Sequence, residues 1–324
     1  MMDFSTLLRT QTKVIKLLNN SILKNRLVRV YLFEGAKGTQ KIEAAYYFAS
    51  LLMCEKENKP CGECLSCRRI KEGKHPRIFF IEPASKGNIL KSQIDELEHE
   101  FSLVSLEEGI RVFIIKDIDK ATLEASNRLL KFLEETSSTT YGILTTENLQ
   151  SVINTIKSRS QIVSFAKVPR DVIIEEYTKR GIKEELSRVL SILTNDINEG
   201  LIYEKDEKII AIIELVKAID EAIWWKEKEP ILVLNETGKF LMNEKDKMYH
   251  NIFIDLMATI INDHIYYKLN QRNEITFIDA DLDVNCEVKE LFTLVEKVLV
   301  YKQKIKYNVN VELMYIQMLI EMTR

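Results

Sequence analysis

The chain has 324 residues, more than one ordinary core supports and enough for two or three domains. Hydrophobic residues make up 46% and charged residues 29% of it, the composition of a soluble globular protein. The net charge of −3 excludes the broad basic field of a free-standing DNA binder, so any role on nucleic acid is local or shared with partners.

The chain starts Met1-Met2-Asp3-Phe4, with no basic segment followed by an apolar one, so no secretory signal is expected. No apolar run reaches the length of a membrane span. A cytoplasmic, reducing location is therefore expected. There, clustered cysteines are metal or redox groups more often than disulfides.

The first apolar run, residues 28–33, reads as a buried strand. It leads into Gly35-Ala36-Lys37-Gly38-Thr39-Gln40-Lys41-Ile42 and a helix over 42–53. This is the place of a phosphate-binding loop, G-x-x-x-x-G-K-[ST]. Gly35 and Lys41 are in register and Gly38 adds a glycine inside the loop. Gln40, however, stands at the second glycine and Ile42 at the hydroxyl residue that ligates Mg²⁺. The loop is expected to be a degenerate, non-catalytic strand-to-helix turn.

Cys54, Cys61, Cys64 and Cys67 follow, spaced C-x6-C-x2-C-x2-C. Two consecutive CxxC steps let four thiolates turn toward one ion, and four sulfur ligands suit a closed, structural Zn²⁺ site. A redox pair would stand alone before a helix. His75 lies outside the cluster and is the other candidate for the fourth ligand. Cys286 stands alone and is expected to be a small buried residue.

Further strands are expected at 78–81, 112–115, 143–145 and 162–165, short and mostly followed by helical patterns, as in a parallel sheet with crossover helices. After the strand at 112–115 a P-loop hydrolase carries an acidic residue. Here the segment is Lys116-Asp117-Ile118-Asp119, with a cation at the expected aspartate and Asp119 reading as a helix N-cap. The helix at 120–135 is the clearest in the chain. Its Ala125, Leu129, Leu130, Phe132 and Leu133 fall on one broad face. Ser158-Arg159-Ser160 precedes the last strand.

Seven of the ten glycines lie before residue 150, and after Pro169 the pattern is nearly continuous helix. A small helical domain is expected over 168–205 and a longer one over 206–324, with helices near 209–222, 249–269 and 288–302. A polar break at 270–283 reads as a loop.

These residues together resemble the delta-prime family of bacterial DNA polymerase III clamp-loader subunits. The resemblance is carried by Val30-Tyr31-Leu32-Phe33-Glu34-Gly35, by Pro60-Cys61-Gly62-Glu63-Cys64-Leu65-Ser66-Cys67, by Gly73-Lys74-His75-Pro76 and by 112–122. It continues in Ala125-Ser126-Asn127-Arg128-Leu129-Leu130-Lys131-Phe132-Leu133-Glu134-Glu135 and in Ser158-Arg159-Ser160-Gln161. It runs over about 5–165 with recognisable motifs and more weakly to the C-terminus. It implies an α/β AAA+ core over 1–167 with a degenerate P-loop and a zinc-binding insertion at 54–67. It further implies a helical lid over 168–205 and an all-α collar over 206–324 that joins a pentameric ring with tau/gamma and delta subunits. That ring acts on a sliding clamp and primed DNA.

The resemblance also implies a role for the Ser-Arg-Cys motif, here Ser158-Arg159-Ser160: Arg159 supplies a finger in trans to a neighbouring ATP site. The lid arginine of active relatives falls near Asn198. The cysteine spacer is shorter than in the family, and Thr136-Ser137-Ser138 stands where the family has prolines. The expectation is a non-enzymatic, ATPase-inactive stator. The alternatives are a divergent ATP-hydrolysing tau/gamma-type subunit and a zinc-bearing nucleic-acid module. The second is disfavoured by the acidic charge and the few aromatics near the cysteines.

Overall fold

The computed structural model describes residues 4–85, 87–103, 109–225, 228–307 and 309–323. The chain divides into two compact units, Met1–Pro169 and Arg170–Arg324.

The first unit opens with two helices, α1 (Ser5–Thr10) and α2 (Thr12–Leu23). Then β1 (Val30–Glu34), α3 (Lys41–Met53), α4 (Leu65–Lys71), β2 (Ile78–Ile81) and α5 (Lys91–Leu103) follow. It continues with β3 (Arg111–Ile115), α6 (Leu123–Glu135), β4 (Thr140–Thr146), α7 (Asn154–Arg159) and β5 (Gln161–Ser164). All four strand pairings are parallel and the sheet order is β2-β3-β4-β1-β5.

The central strands β1, β3 and β4 are buried on both faces because both are covered, as parallel sheets require, while the edge strands β2 and β5 stay partly exposed. Tyr31, Phe33, Val112, Ile114 and Ile143 pack under α2 and α3 with Ile70 of α4. Leu32, Phe113, Ile115 and Leu144 face the other way, onto Ile94 and Leu97 of α5, Leu129 and Phe132 of α6 and Ile156 of α7. Gly142 is needed for this packing, since a Cβ there would lie 2.2 Å from the Phe113 ring.

The helix expected from residue 120 begins at Leu123. Asp117 takes a left-handed backbone (φ 54°) and turns the chain before residues 118–120 make a 3₁₀ turn. Thr122, not Asp119, is the N-cap, and its hydroxyl accepts the Ala125 N–H at 3.2 Å. Asp119 instead accepts the Thr146 hydroxyl at 2.8 Å. The β4 strand extends to both sides of the expected 143–145.

The second unit is all helix: α8 (Arg170–Lys179), α9 (Glu184–Leu193), α10 (Ile197–Tyr203), α11 (Glu207–Trp225) and α12 (Pro230–Thr237). The remaining helices are α13 (Lys239–Met242), α14 (Lys247–Lys268), α15 (Val288–Lys304) and α16 (Val311–Thr323). The α14 helix is the axis of its core. Phe253, Leu256, Met257, Ile260 and Ile261 touch no solvent to speak of and share one cluster with Ile212, Ile219, Leu291, Val298 and Met318, and with Val189 of α9.

The segment after α14 is not a free loop. Arg170 donates to Glu274 O (2.9 Å) and Thr276 Oγ1 (2.6 Å), and Arg188 to Asn273 O (3.2 Å) and Ile275 O (2.7 Å). Buried Asp263 accepts the Thr276 and Phe277 N–H groups at 3.0 and 2.7 Å. Helices α8 and α9 are thus strapped to the later helices by this segment. Cys286 is only partly buried, with its thiol 3.2 Å from Glu290 Oε2 and pushed up to about 11 by burial, so it is not the core residue expected.

Candidate functional site

The carboxyl ends of β1, β3 and β4 meet at one edge of the sheet, where ligands bind in open α/β folds. Gly35 N–H donates to Thr146 O at 3.2 Å, and Asp117 N–H to the Thr145 hydroxyl at 3.0 Å, so the turn after β1 and the turn after β3 are both tied to β4.

The turn after β1 keeps the twist of a phosphate loop. Gly38 has φ 77° and Gln40, at the second glycine of the pattern, has φ 66° and ψ 31°. A side chain in that region carries a cost of about 1–2 kcal/mol. The position is held by its surroundings: Gln40 Oε1 accepts the Thr10 hydroxyl at 3.3 Å. Gln11, between α1 and α2, reaches Thr39 O (3.4 Å) and Ala166 O (2.7 Å).

The Lys41 ammonium does not project from this loop. It donates to Gly35 O at 2.6 Å and Ala36 O at 2.8 Å, and Lys41 is buried. Burial pulls its pKa below the usual lysine value, against the opposing pull of Glu147, Asp117 and Asp119. Ile42 packs against the apolar layer beneath α3 and offers no oxygen. Lys116, at the expected acidic position, points to Glu82 at 3.6 Å. Asp117 accepts from Lys120 at 2.8 Å.

The four clustered cysteines come together at the far end of α3. Cys54 is the C-cap of α3, Cys64 the N-cap of α4, and Cys67 lies in the first turn of α4. Their four sulfurs all lie within 4.8 Å of one another, and Cys61 and Cys67 are 3.9 Å apart. A tetrahedral site with Zn–S near 2.3 Å places sulfurs about 3.8 Å apart, so the cluster has the size of such a site.

Backbone N–H groups already aim at the sulfurs. Cys64 N–H meets Cys61 Sγ at 3.3 Å and Cys67 N–H meets Cys64 Sγ at 3.4 Å. The Cys64 N–H bond brings the Cys61 thiol down to about 6, favouring the thiolate, while burial pushes Cys67 up to about 12. Four thiolates share this space only with a cation among them. His75 is not in the group: it is buried, and its Nδ1 accepts the Arg77 N–H at 3.2 Å.

Arg159 is the last residue of α7. Its side chain is 44% exposed, with Nη2 donating to Glu134 Oε1 at 2.7 Å and Nη1 to Thr155 O at 3.4 Å. The structure therefore assembles three separate features: the loop around Lys41, the cysteine cluster and the Arg159 tip. Sequence reasoning missed Gln11, Thr145 and Thr146, which fix the loop edge, and Glu134, which holds the arginine. Only Glu134 lies within a motif that could have drawn attention to it.

A five-stranded parallel sheet in this order, with a P-loop-type turn after β1 and a helical unit following it in the chain, defines a P-loop protein of the AAA+ class. Residues 10–169 match the family model described as DNA polymerase III, delta subunit. The chain is 29% identical over 308 residues to DNA polymerase III subunit delta' of Bacillus subtilis, covering 93% of both chains. It is 28% identical over 155 residues to subunit delta' of Haemophilus influenzae, covering 48% of this chain and 47% of that one. DNA polymerase III subunit tau of Bacillus subtilis is 30% identical over 178 residues, 54% of this chain and 31% of that one. The chain is thus similar to DNA polymerase III delta' subunits, to that of Bacillus subtilis along nearly its whole length.

Proposed function

We propose that this chain is the ATPase-inactive, delta-prime-type subunit of a bacterial clamp loader. It takes a place in a ring with tau/gamma and delta subunits and supplies Arg159 in trans to a neighbour's ATP site while a sliding clamp is loaded on primed DNA. The observation that carries the reading is the state of the two magnesium-handling positions. One is apolar Ile42 and the other is Lys116, a cation engaged with Glu82. A hydrolase needs oxygen ligands for Mg²⁺ at both. Lys41, which would reach the β- and γ-phosphates, is satisfied by the loop's own carbonyls.

On this reading the four cysteines hold one structural Zn²⁺. The metal supplies a closed tetrathiolate crosslink between the end of α3 and the start of α4, with no open position for chemistry. Residues 168–205 serve as the lid and 206–324 as the collar. An exposed guanidinium at the end of α7 has the charge and fork geometry to meet phosphate oxygens of a partner. Among the described residues no helix is long and apolar enough to cross a membrane, in keeping with work in the cytoplasm.

The test is ATP turnover by the purified chain. No turnover above background is expected. Steady hydrolysis that follows the chain through purification and disappears in Lys41→Ala would favour a divergent tau/gamma-type ATPase instead.

A further inference from the structure

We infer that Glu134 is a positioning residue for Arg159, holding the guanidinium in an outward pose from which it reaches the partner's phosphate. The inference rests on the reading of Arg159 as a finger.

The two side chains stand on elements of unequal rigidity. Glu134 is at the end of a thirteen-residue helix, α6, with Leu129, Phe132 and Leu133 buried beneath it. On its outer side Arg128 pairs with Asp95 at 2.7 Å and with Glu98, fixing α6 to α5. Arg159 ends a six-residue helix in which Ile156 is the buried residue. A long arginine side chain on so short a support has much rotamer freedom to lose before it can act. The Glu134 carboxylate at 2.7 Å and the Thr155 carbonyl at 3.4 Å remove part of that freedom beforehand.

The arrangement leaves the working edge open. A guanidinium has five N–H donors. Glu134 takes one from Nη2 and Thr155 one from Nη1, so the other three stay available to phosphate oxygens. The carboxylate also repels an incoming phosphate. Glu134 is 57% exposed, however, so solvent and salt screen that repulsion, while the guanidinium stands in direct contact. An exposed pair of this kind is worth about a 1.4- to 5-fold change in population, so the expected effect on rate is modest and of that size.

The experiment uses the intact complex of this chain with its tau/gamma and delta subunits, the clamp and primed DNA, and reads kcat and KM for stimulated ATP hydrolysis. Glu134→Ala is expected to lower kcat about 1.4- to fivefold with KM and ring assembly unchanged. Glu134→Asp is expected to recover most of the rate. In an Arg159→Ala background, Glu134→Ala is expected to do nothing further, which a merely structural role would not give. An unchanged or raised rate in Glu134→Ala, beside a lowered rate in Arg159→Ala, overturns this inference alone. An equal loss from Glu134→Ala in both backgrounds also overturns it, by showing a role in folding. An Arg159→Ala complex of full activity overturns both this inference and the finger reading beneath it.

Discussion

Lys41 offers the sharpest contrast between a nucleotide-binding lysine and a structural one. In a working loop its truncation removes phosphate binding and leaves folding nearly untouched. Here the ammonium closes on Gly35 O and Ala36 O at 2.6 and 2.8 Å, so Lys41→Ala leaves two loop carbonyls without their charged donor. Hydrogen bonds to charged groups are worth about 1.5–3 kcal/mol each. The cost of burying the ammonium offsets part of that, and water can reach the half-buried carbonyls. A net loss of about 2 kcal/mol is expected, or about 4–8 °C for a unit of this size.

The companion measurement adds MgATP. A ligand at a hundredfold its Kd stabilises the folded state by about 2.7 kcal/mol, a shift of several degrees. With Ile42 and Lys116 at the magnesium positions, 1 mM MgATP (about a hundredfold excess over a 10 µM site) is expected to move the transition by less than about 1 °C. Scanning calorimetry is the assay, because Trp224 and Trp225 both lie in the helical unit and their fluorescence does not report on the first. A shift of several degrees with MgATP that vanishes in Lys41→Ala, with Lys41→Ala itself as stable as the parent, would refute the reasoning.

Metal analysis is expected to give about one Zn²⁺ per chain. Cys54→Ser and Cys64→Ser should each lose it while His75→Asn retains it, and a His75→Asn protein without zinc would contradict the Cys54 assignment. Burial holds the Asp263 carboxyl up at about 6, above its value in the unfolded chain, so the native state takes up this proton first. The helical unit is therefore expected to gain from this group as pH falls from 7 through 6 toward 4 and to lose that gain as pH rises. Asp263→Asn should flatten the change in unfolding midpoint between pH 7 and pH 5, and an unaltered pH profile would count against it. A fragment ending at Pro169 is expected to stay folded by circular dichroism. One ending at Tyr203 should expose Val189 and strand Arg170 and Arg188 from their partners at 273–276, and aggregate; equal solubility of the two would contradict the strap between α9 and the later helices.

The strands and the cysteine cluster were legible because their signals are local. Short β-branched runs covered on both faces look the same wherever they occur, and CxxC spacing brings sulfurs together through one turn of backbone. Element ends were less legible: the reversal at Asp117 depends on the Thr145 hydroxyl 28 residues away. The identity of the N-cap followed from that reversal, so Asp119 read as a cap although its carboxylate belongs to Thr146. The strap at 270–276 was invisible because its partners Arg170 and Arg188 lie about a hundred residues upstream and carry no motif. The same holds for Gln11, whose amide joins Thr39 to Ala166. Glu134 lay in plain view within a motif, but its partner is 25 residues on and only the fold brings them together.

The most direct test of the account is the ATPase of the assembled clamp loader carrying Arg159→Ala in this chain. With clamp and primed DNA present, the finger reading predicts a fall in stimulated hydrolysis and in clamp loading, with zinc content, thermal stability and ring assembly unchanged. Arg159→Lys should recover little of the loss, since an ammonium lacks the planar fork. A complex in which Arg159→Ala hydrolyses ATP and loads clamps at the parent rate would contradict the account, leaving Arg159 a surface residue paired with Glu134.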